Sequence, residues 1–108
     1  MEPTEHQIQS SILEWLPYLG VFAWRNNSGM IALTGKDGKP RMIKMGMAGL
    51  PDILGIQKST GRLVAIEVKR PGKKPTDIQQ RMLQELTDYG ALAFVATNIE
   101  DVQAKLKR

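Results

Sequence analysis

The sequence predicts one α/β domain in which helices flank a mixed central sheet. Apolar residues recur at helical spacing near the N-terminus and again after residue 76, and short β-rich segments lie between these two regions. A strand–helix–strand step follows near residues 62–97. Because such a step makes its two strands parallel, the sheet should contain both parallel and antiparallel pairs.

Length and composition limit the class of protein. The 108 residues form one domain, 1–108, and the 42% apolar content suffices for a packed core. The absence of cysteine excludes disulfides and thiolate metal sites and is consistent with a reducing compartment. No apolar run approaches the ~20 residues of a membrane span, and the N-terminus does not have the form of a signal peptide. We therefore expect a cytoplasmic protein with no membrane partner; the net charge of +4 permits a polyanionic partner without requiring one.

The first element is predicted to be a helix from about Thr4 to about Leu16. Thr4 and Gln7 have the spacing of a capping box, and Pro17 and Gly20 mark the end of the helix or a kink near it.

The strands are predicted from β-branched and aromatic residues bounded by turn residues. Lys36-Asp37-Gly38-Lys39 has the composition of a hairpin tip, although a loop is an equal alternative. The predicted strands are Val21–Arg25, Asp52–Gln57, Arg62–Lys69 and Ala91–Thr97.

Two further helices complete the prediction. Thr76 and Gln79 form a second capping box at the start of one helix, and Gly90 is suited to end it. Asn98 can cap a last helix that extends through Leu106.

The turn between the predicted strands Asp52–Gln57 and Arg62–Lys69 brings three charged side chains together. If Gln57 pairs with Arg62, Asp52 stands directly opposite Glu67, with Cβ atoms ~5 Å apart. Lys69 projects from the same face as Glu67, because side chains alternate with period two. A slip of one residue would separate the two carboxylates, so this prediction depends on the register.

This cluster has the composition of a hard-cation site. Facing carboxylates repel each other unless a divalent cation lies between them, and Mg²⁺ accepts carboxylates, waters and a backbone carbonyl such as that of Val68. Lys69 would lie beside a water on the cation, as phosphodiester hydrolysis requires. The alternative is that Glu67 and Lys69 are an ordinary polar pair on an exposed sheet face. The apolar residues around them, 63–66 and 68, argue against it, since a buried charge is costly unless it is paired or metal-bound.

These residues also form a known signature. Pro51-Asp52, a spacer of fourteen residues and Glu67-Val68-Lys69 make a PD-(D/E)XK motif. With Gly49-Leu50 before it, Gln79 in the next helix and Gly90-Ala91 leading into an apolar strand, the sequence resembles the virus-type replication-repair nuclease (VRR-NUC) domain, from Glu5 to about Thr97.

The resemblance implies a restriction-endonuclease-like αβββαβ core and DNA cleavage that depends on Mg²⁺ or Mn²⁺. It matches Asp52 and Glu67 to the metal-binding acids and Lys69 to the catalytic lysine. It also matches Glu5 to an acid on the first helix that reaches the metal through water, and Gln79 to a glutamine near the active site. Glu5 could equally be a first-turn carboxylate that interacts with the helix dipole, and Gln79 could act in the capping box alone or in both roles.

The resemblance further implies a biological setting. Small, stand-alone members resemble Holliday junction resolvases and act as homodimers on branched DNA. We therefore expect a structure-selective endonuclease of replication, repair or recombination in a bacterial or phage-infected cell. Two alternatives stay open: a non-catalytic module that binds branched DNA with a nuclease fold, and a flap or duplex nuclease.

Several polar and basic residues are candidates for contacts with DNA phosphates. For each of them, a solvated turn or surface is the alternative. Trp15 and Trp24 are expected in the core, with base stacking as the alternative. The candidate DNA contacts are Arg25, Asn27, Ser28, Lys36, Lys39, Arg41, Lys73 and Lys74.

Overall fold

The computed structural model describes residues 2–26, 30–44 and 46–106. Its helices and strands follow the predicted order, with a short 3-10 helix at Leu16–Leu19 after the first helix. They are α1 (Glu5–Trp15), β1 (Val21–Arg25), β2 (Met30–Thr34), β3 (Pro40–Lys44), β4 (Ile53–Gln57), β5 (Leu63–Val68), α2 (Asp77–Asp88), β6 (Leu92–Ala96) and α3 (Ile99–Leu106).

Helix α1 begins as its sequence predicts. The backbone N–H of Gln7 donates to the Thr4 hydroxyl over 3.1 Å, and the Thr4 N–H donates to the Gln7 side chain over 2.8 Å. Both bonds of the capping box are therefore present. The chain tightens into the 3-10 helix at Pro17 and leaves it at Gly20, whose φ of 78° is accessible to glycine at low cost.

The central sheet is mixed, as predicted. Its strand order is β1-β4-β5-β6; β4 is antiparallel to β1 and β5, and β5 is parallel to β6. The predicted register of β4 and β5 is confirmed over the whole ladder, from Ile56 opposite Leu63 to Ile53 opposite Ile66. The Gln57 N–H donates to the Arg62 carbonyl over 2.9 Å and closes the turn.

The two faces of the sheet are covered differently. One face packs against α1 and α3 and holds the core, while α2 covers the opposite face over β5 and β6. On that opposite face β1 exposes Phe22 (76%) and Trp24 (43%). The prediction that Trp24 and Trp15 lie in the core was wrong, since Trp15 is also 46% exposed. The central core residues are Ile8, Ile12, Leu16, Val21, Ile53, Val64, Ile66, Val68, Phe94 and Val102.

Strands β2 and β3 form the predicted hairpin as a separate two-stranded sheet. The Cα radius of gyration is 15.5 Å, against about 13 Å for a compact domain of this length, and the molecule is 55 Å long. The hairpin therefore extends the molecule as an arm. The Asn26 N–H donates to the Asp52 carbonyl over 2.7 Å, so the chain leaves the central sheet and returns to it at the same point. No helix among the described residues is long and apolar enough to span a membrane.

Candidate active site

Asp52 and Glu67 meet where the β4–β5 ladder ends. One step beyond the pair Ile53–Ile66, the register places Asp52 opposite Glu67. In an antiparallel ladder, pairs that share backbone hydrogen bonds alternate with pairs that do not, and Gln57 with Arg62 is a bonded pair. Counting from it, Asp52 and Glu67 share no backbone hydrogen bond, and in such pairs the side chains lie closer together. The Asp52 carboxylate also accepts a hydrogen bond from the Val68 N–H over 2.8 Å, which fixes its position.

Glu67 is almost completely buried, at 1% exposure. The pKa of its carboxyl group is raised from an ordinary value of 4.5 to about 8, and burial is the largest cause. The charge of Asp52 and a side-chain hydrogen bond with it contribute to this increase, while Lys69 opposes it without reversing the shift. Without a cation, the pair is therefore most stable with a proton on Glu67.

Lys69 lies beside the same carboxyl group. Its Nζ is 3.6 Å from Glu67 Oε2, and its side chain is only 13% exposed. The Lys69 N–H donates to the Ala96 carbonyl over 3.1 Å, so the parallel strand β6 holds this part of β5 in place. The ammonium group is thus kept at the carboxylate pair with part of its surface open to solvent.

Gln79 joins the site from the first turn of α2. Its Nε2 donates to Glu67 Oε2 over 3.2 Å. Its Oε1 accepts the Thr76 N–H over 2.9 Å, and its own N–H donates to the Thr76 hydroxyl over 3.2 Å. One side chain therefore completes the capping box and donates a hydrogen bond to the buried acid; its role in an active site stays a prediction.

The site fits a divalent cation. Glu67 Oε1 is buried and accepts no hydrogen bond from an N–H or hydroxyl group of the described residues, so once Glu67 is ionised this oxygen is an anionic ligand available to a cation. The ladder alternation directs the Val68 carbonyl toward β4, where Pro51 stands opposite. Because proline has no N–H, Pro51 cannot donate a ladder hydrogen bond to the Val68 carbonyl. This carbonyl, which is the predicted third metal ligand, therefore has no donor from the neighbouring strand at that position.

Glu5 does not become a third direct ligand. It lies half-buried in the first turn of α1. Among residues 2–26, 30–44 and 46–106, no group of three or more His, Cys, Asp or Glu side chains is close enough to hold a metal ion. The water-mediated role predicted for Glu5 stays a prediction.

Arg25 points away from the carboxylate pair. Its guanidinium group contacts His6 Nε2 at 3.3 Å and donates to the Ser10 hydroxyl over 2.9 Å, both on α1. Its neighbour Asn26 donates from Nδ2 to the Pro51 carbonyl over 3.2 Å. Asn26 therefore fixes the segment that carries Asp52, a role that sequence spacing could not indicate because 25 residues separate the two positions.

The basic candidates lie around the site rather than within it. Lys36, Lys39 and Arg41 are exposed on the hairpin arm, where Arg41 forms an ion pair with Asp37 at 3.5 Å. Lys73 and Lys74 are exposed in the loop between β5 and α2. Asn27 and Ser28 lie outside the described residues.

Comparisons with known proteins found a matching family and a similar solved structure. The sequence matches the model of the VRR-NUC domain family over residues 3–98. A solved structure described as a VRR_NUC domain superposes with a TM-score of 0.64 at 25% sequence identity; the match covers 93% of this chain and 90% of that one. No curated protein matches the sequence.

Proposed function

This chain belongs to the VRR-NUC domain family, and from that premise we propose that it is a metal-dependent DNA endonuclease. The family is one of nuclease-fold domains that process DNA. One observation carries the proposal: Asp52, Glu67 and Lys69 converge at one end of the sheet, and one oxygen of the buried Glu67 carboxyl group accepts no hydrogen bond from an N–H or hydroxyl group of the described residues.

The candidate ligands are those that a hard cation prefers. Asp52, Glu67 Oε1 and the Val68 carbonyl would hold Mg²⁺ or Mn²⁺, with waters completing the coordination. A bound cation supplies charge that makes a water more acidic and neutralises a phosphoryl oxygen. It would also remove the repulsion between the two carboxylates, which otherwise favours a proton on Glu67.

Lys69 supplies the remaining chemistry. Its ammonium group has three N–H donors, and the Glu67 carboxylate holds it at 3.6 Å. A donor not directed at Glu67 can orient the water that attacks phosphorus or stabilise charge on the phosphoryl oxygen. The attacking water gives up a proton to the surrounding solvent as its oxygen forms a bond to phosphorus, a P–O bond of the backbone breaks, and the leaving oxygen takes up a proton from the solvent.

We infer that branched DNA, such as a Holliday junction, is the substrate. The domain is small, with little surface for reading a long base sequence, so it favours recognition of shape. The hairpin arm lies between Asn26 and Asp52 in the sequence, two residues whose backbones are hydrogen-bonded, and it exposes Lys36, Lys39 and Arg41, so it can contact DNA backbone away from the scissile phosphate. A homodimer would present two active sites across a two-fold axis, the symmetry of a four-way junction.

The experiment that tests the proposal is cleavage of labelled four-way junction, flap and duplex DNA with Mg²⁺, Mn²⁺ or EDTA. The control is Glu67→Gln, which keeps the size of the side chain and removes its charge. We expect metal-dependent nicks at the branch that the control loses, and a solution mass of two chains. Equal cleavage by both proteins would contradict the assignment. Branch binding without any cut would favour the non-catalytic alternative.

A further inference from the structure

Two adjacent aromatic rings lie on the half of the sheet face that no described helix covers. Phe22 and Trp24 are 76% and 43% exposed, and their ring centroids lie 5.9 Å apart with planes tilted by 53°. Ile56, paired with Phe22 across β1 and β4, is 39% exposed on the same face. The three side chains form an apolar surface on one side of a sheet whose other side is a closed core.

This surface leads directly to the candidate active site. Trp24 pairs with Leu54, and Asp52 is two residues before Leu54 on the same face. Two residues along a strand span ~7 Å, comparable with one extended nucleotide step. Trp24 is therefore about one nucleotide away from the acids, and Phe22 is about one step further.

Cationic groups stand at both ends of this row. Lys69 lies at the acid end, 3.6 Å from Glu67. At the other end, Lys58 lines the same shallow groove as Phe22 and Ile56. A track with two ammonium groups at its ends and two aromatic rings between them complements a short stretch of backbone phosphates whose bases face the sheet.

On the premise that the chain is a DNA endonuclease, we propose that Trp24 and Phe22 form a stacking platform for unpaired bases next to the scissile phosphate. Every base presents a π-face, so such a platform selects unpaired strands without reading sequence. Bases inside a duplex are already stacked and cannot reach these rings without leaving the helix. The platform would thus give a preference for branch points, where bases can be unpaired.

The two tryptophans of the chain allow a direct test, because both are about equally exposed but only Trp24 is on this face. In Trp15→Phe, Trp24 is the sole tryptophan. Its fluorescence is titrated in EDTA with a single-stranded thymidine hexamer and, separately, with a blunt duplex of the same length. We expect saturable quenching by the single strand and much weaker quenching by the duplex.

The affinity for the labelled hexamer is measured in parallel by anisotropy. Trp24→Leu should bind about 5- to 100-fold more weakly, the range expected when one stacked base is lost. Trp15→Leu is the matched control and should bind as the unaltered protein does. Equal quenching by both DNAs, or unchanged affinity in Trp24→Leu, would refute the platform. If Trp24→Leu fails to fold, the fluorescence of Trp15→Phe decides alone.

The mass in solution shows whether a second copy of the chain, rather than DNA, occupies this face. If Trp24→Leu changed a dimer into a monomer and DNA left the Trp24 emission unchanged, the occupant would be a second copy, and the proposal would be overturned. The titrations contain no metal, so they are independent of cleavage. Quenching without Mg²⁺-dependent cleavage would refute the proposed nuclease activity but support binding of unpaired bases by Trp24. Cleavage without quenching would support the nuclease activity and refute the stacking platform.

Discussion

The Gln79 amide binds the buried Glu67 carboxyl group and the start of its own helix at the same time. Its Nε2 is 3.2 Å from Glu67 Oε2, and its Oε1 is 2.9 Å from the N–H of Thr76. The bond that caps α2 therefore also fixes the orientation of the donor that contacts the candidate metal ligand. One side chain thus makes both the helix cap and the contact with the candidate metal ligand.

The two functions of Gln79 can be separated by one substitution. Glu at this position preserves the capping box, because a carboxylate accepts the Thr76 N–H as well, but it has no N–H to donate to Glu67. With Mg²⁺ present to offset the repulsion of the added carboxylate, we expect Gln79→Glu to keep the melting temperature close to that of the unaltered protein and to lower junction cleavage by about 10- to 100-fold, as for other groups that orient metal ligands. Thermal unfolding and cleavage rates measure the two effects.

Thr76→Ala is the complementary control. It removes the cap hydroxyl and should destabilise the protein by about 1 kcal/mol. A normal cleavage rate in Gln79→Glu would show that Gln79 serves the helix alone.

The raised pKa of Glu67 predicts a stability that depends on pH. Folding raises the pKa of this carboxyl group from 4.5 to about 8, so the folded protein holds a proton that the unfolded chain has released between these values. In metal-free buffer the free energy of unfolding should therefore decrease as pH rises through this window. Glu67→Gln has no such proton and should lose most of the decrease.

Melting temperatures in EDTA between pH 5 and 8.5 measure this dependence for both proteins. Addition of Mg²⁺ or Mn²⁺ at pH 8 should raise the melting temperature of the unaltered protein and leave that of Glu67→Gln nearly unchanged. An identical pH dependence in the two proteins would show that the Glu67 proton is not the cause.

Pro51 is expected to keep the Val68 carbonyl available. Pro51→Ala supplies an N–H opposite this carbonyl, and the β4–β5 ladder could then extend by one pair. The new bond would compete with the cation, so the Mn²⁺ concentration needed for half-maximal cleavage should rise, and Mn²⁺ binding measured by calorimetry should weaken. Unchanged Mn²⁺ affinity in a folded variant would exclude the Val68 carbonyl as a ligand.

Gly49 controls the distance between α2 and the segment before Asp52. A Cβ at this position would lie 2.7 Å from Ile78 Cγ2 and 2.8 Å from the Ile78 carbonyl oxygen, and the φ of Gly49 is 77°. Gly49→Ala should displace the start of α2 and with it Gln79, so both stability and cleavage should fall. Gly61→Ala is the matched control: its φ is 71°, but nothing lies within 4 Å of the added Cβ.

Gly61→Ala measures the backbone strain alone, without a clash against α2; this strain is about 1–2 kcal/mol for a left-handed residue other than glycine. Unfolding and cleavage are measured for both variants. Equal cleavage losses in the two would show that contact with α2 is irrelevant to the site.

The hairpin arm should contribute to the salt dependence of DNA binding. Each phosphate contact made by Lys36 or Lys39 adds about 0.9 to the slope of log affinity against log salt concentration. Lys36→Ala and Lys39→Ala should each reduce the slope by about that amount on junction and duplex alike. Binding isotherms in EDTA at several KCl concentrations give the slopes; Lys105→Ala, on α3 away from the arm, should leave the slope unchanged.

Much of this protein is determined by local sequence. Thr4 with Gln7 and Thr76 with Gln79 fix the helix starts, because a capping box joins residues only three apart. The turn after Gln57 fixes the register of β4 and β5, and this register alone brings Asp52 opposite Glu67.

Only the tertiary structure decided how distant segments meet. It placed Gln79 on Glu67, directed Arg25 to α1 and left Trp24 on an uncovered face, contrary to the expected core position. Periodicity shows that a residue is apolar and on which side of its own strand it lies, but not whether another element covers that side. Whether Trp24 is covered depends on where α2 packs on the sheet. The position of α2 is set by its contacts with the whole domain, and no spacing of residues within one segment indicates it.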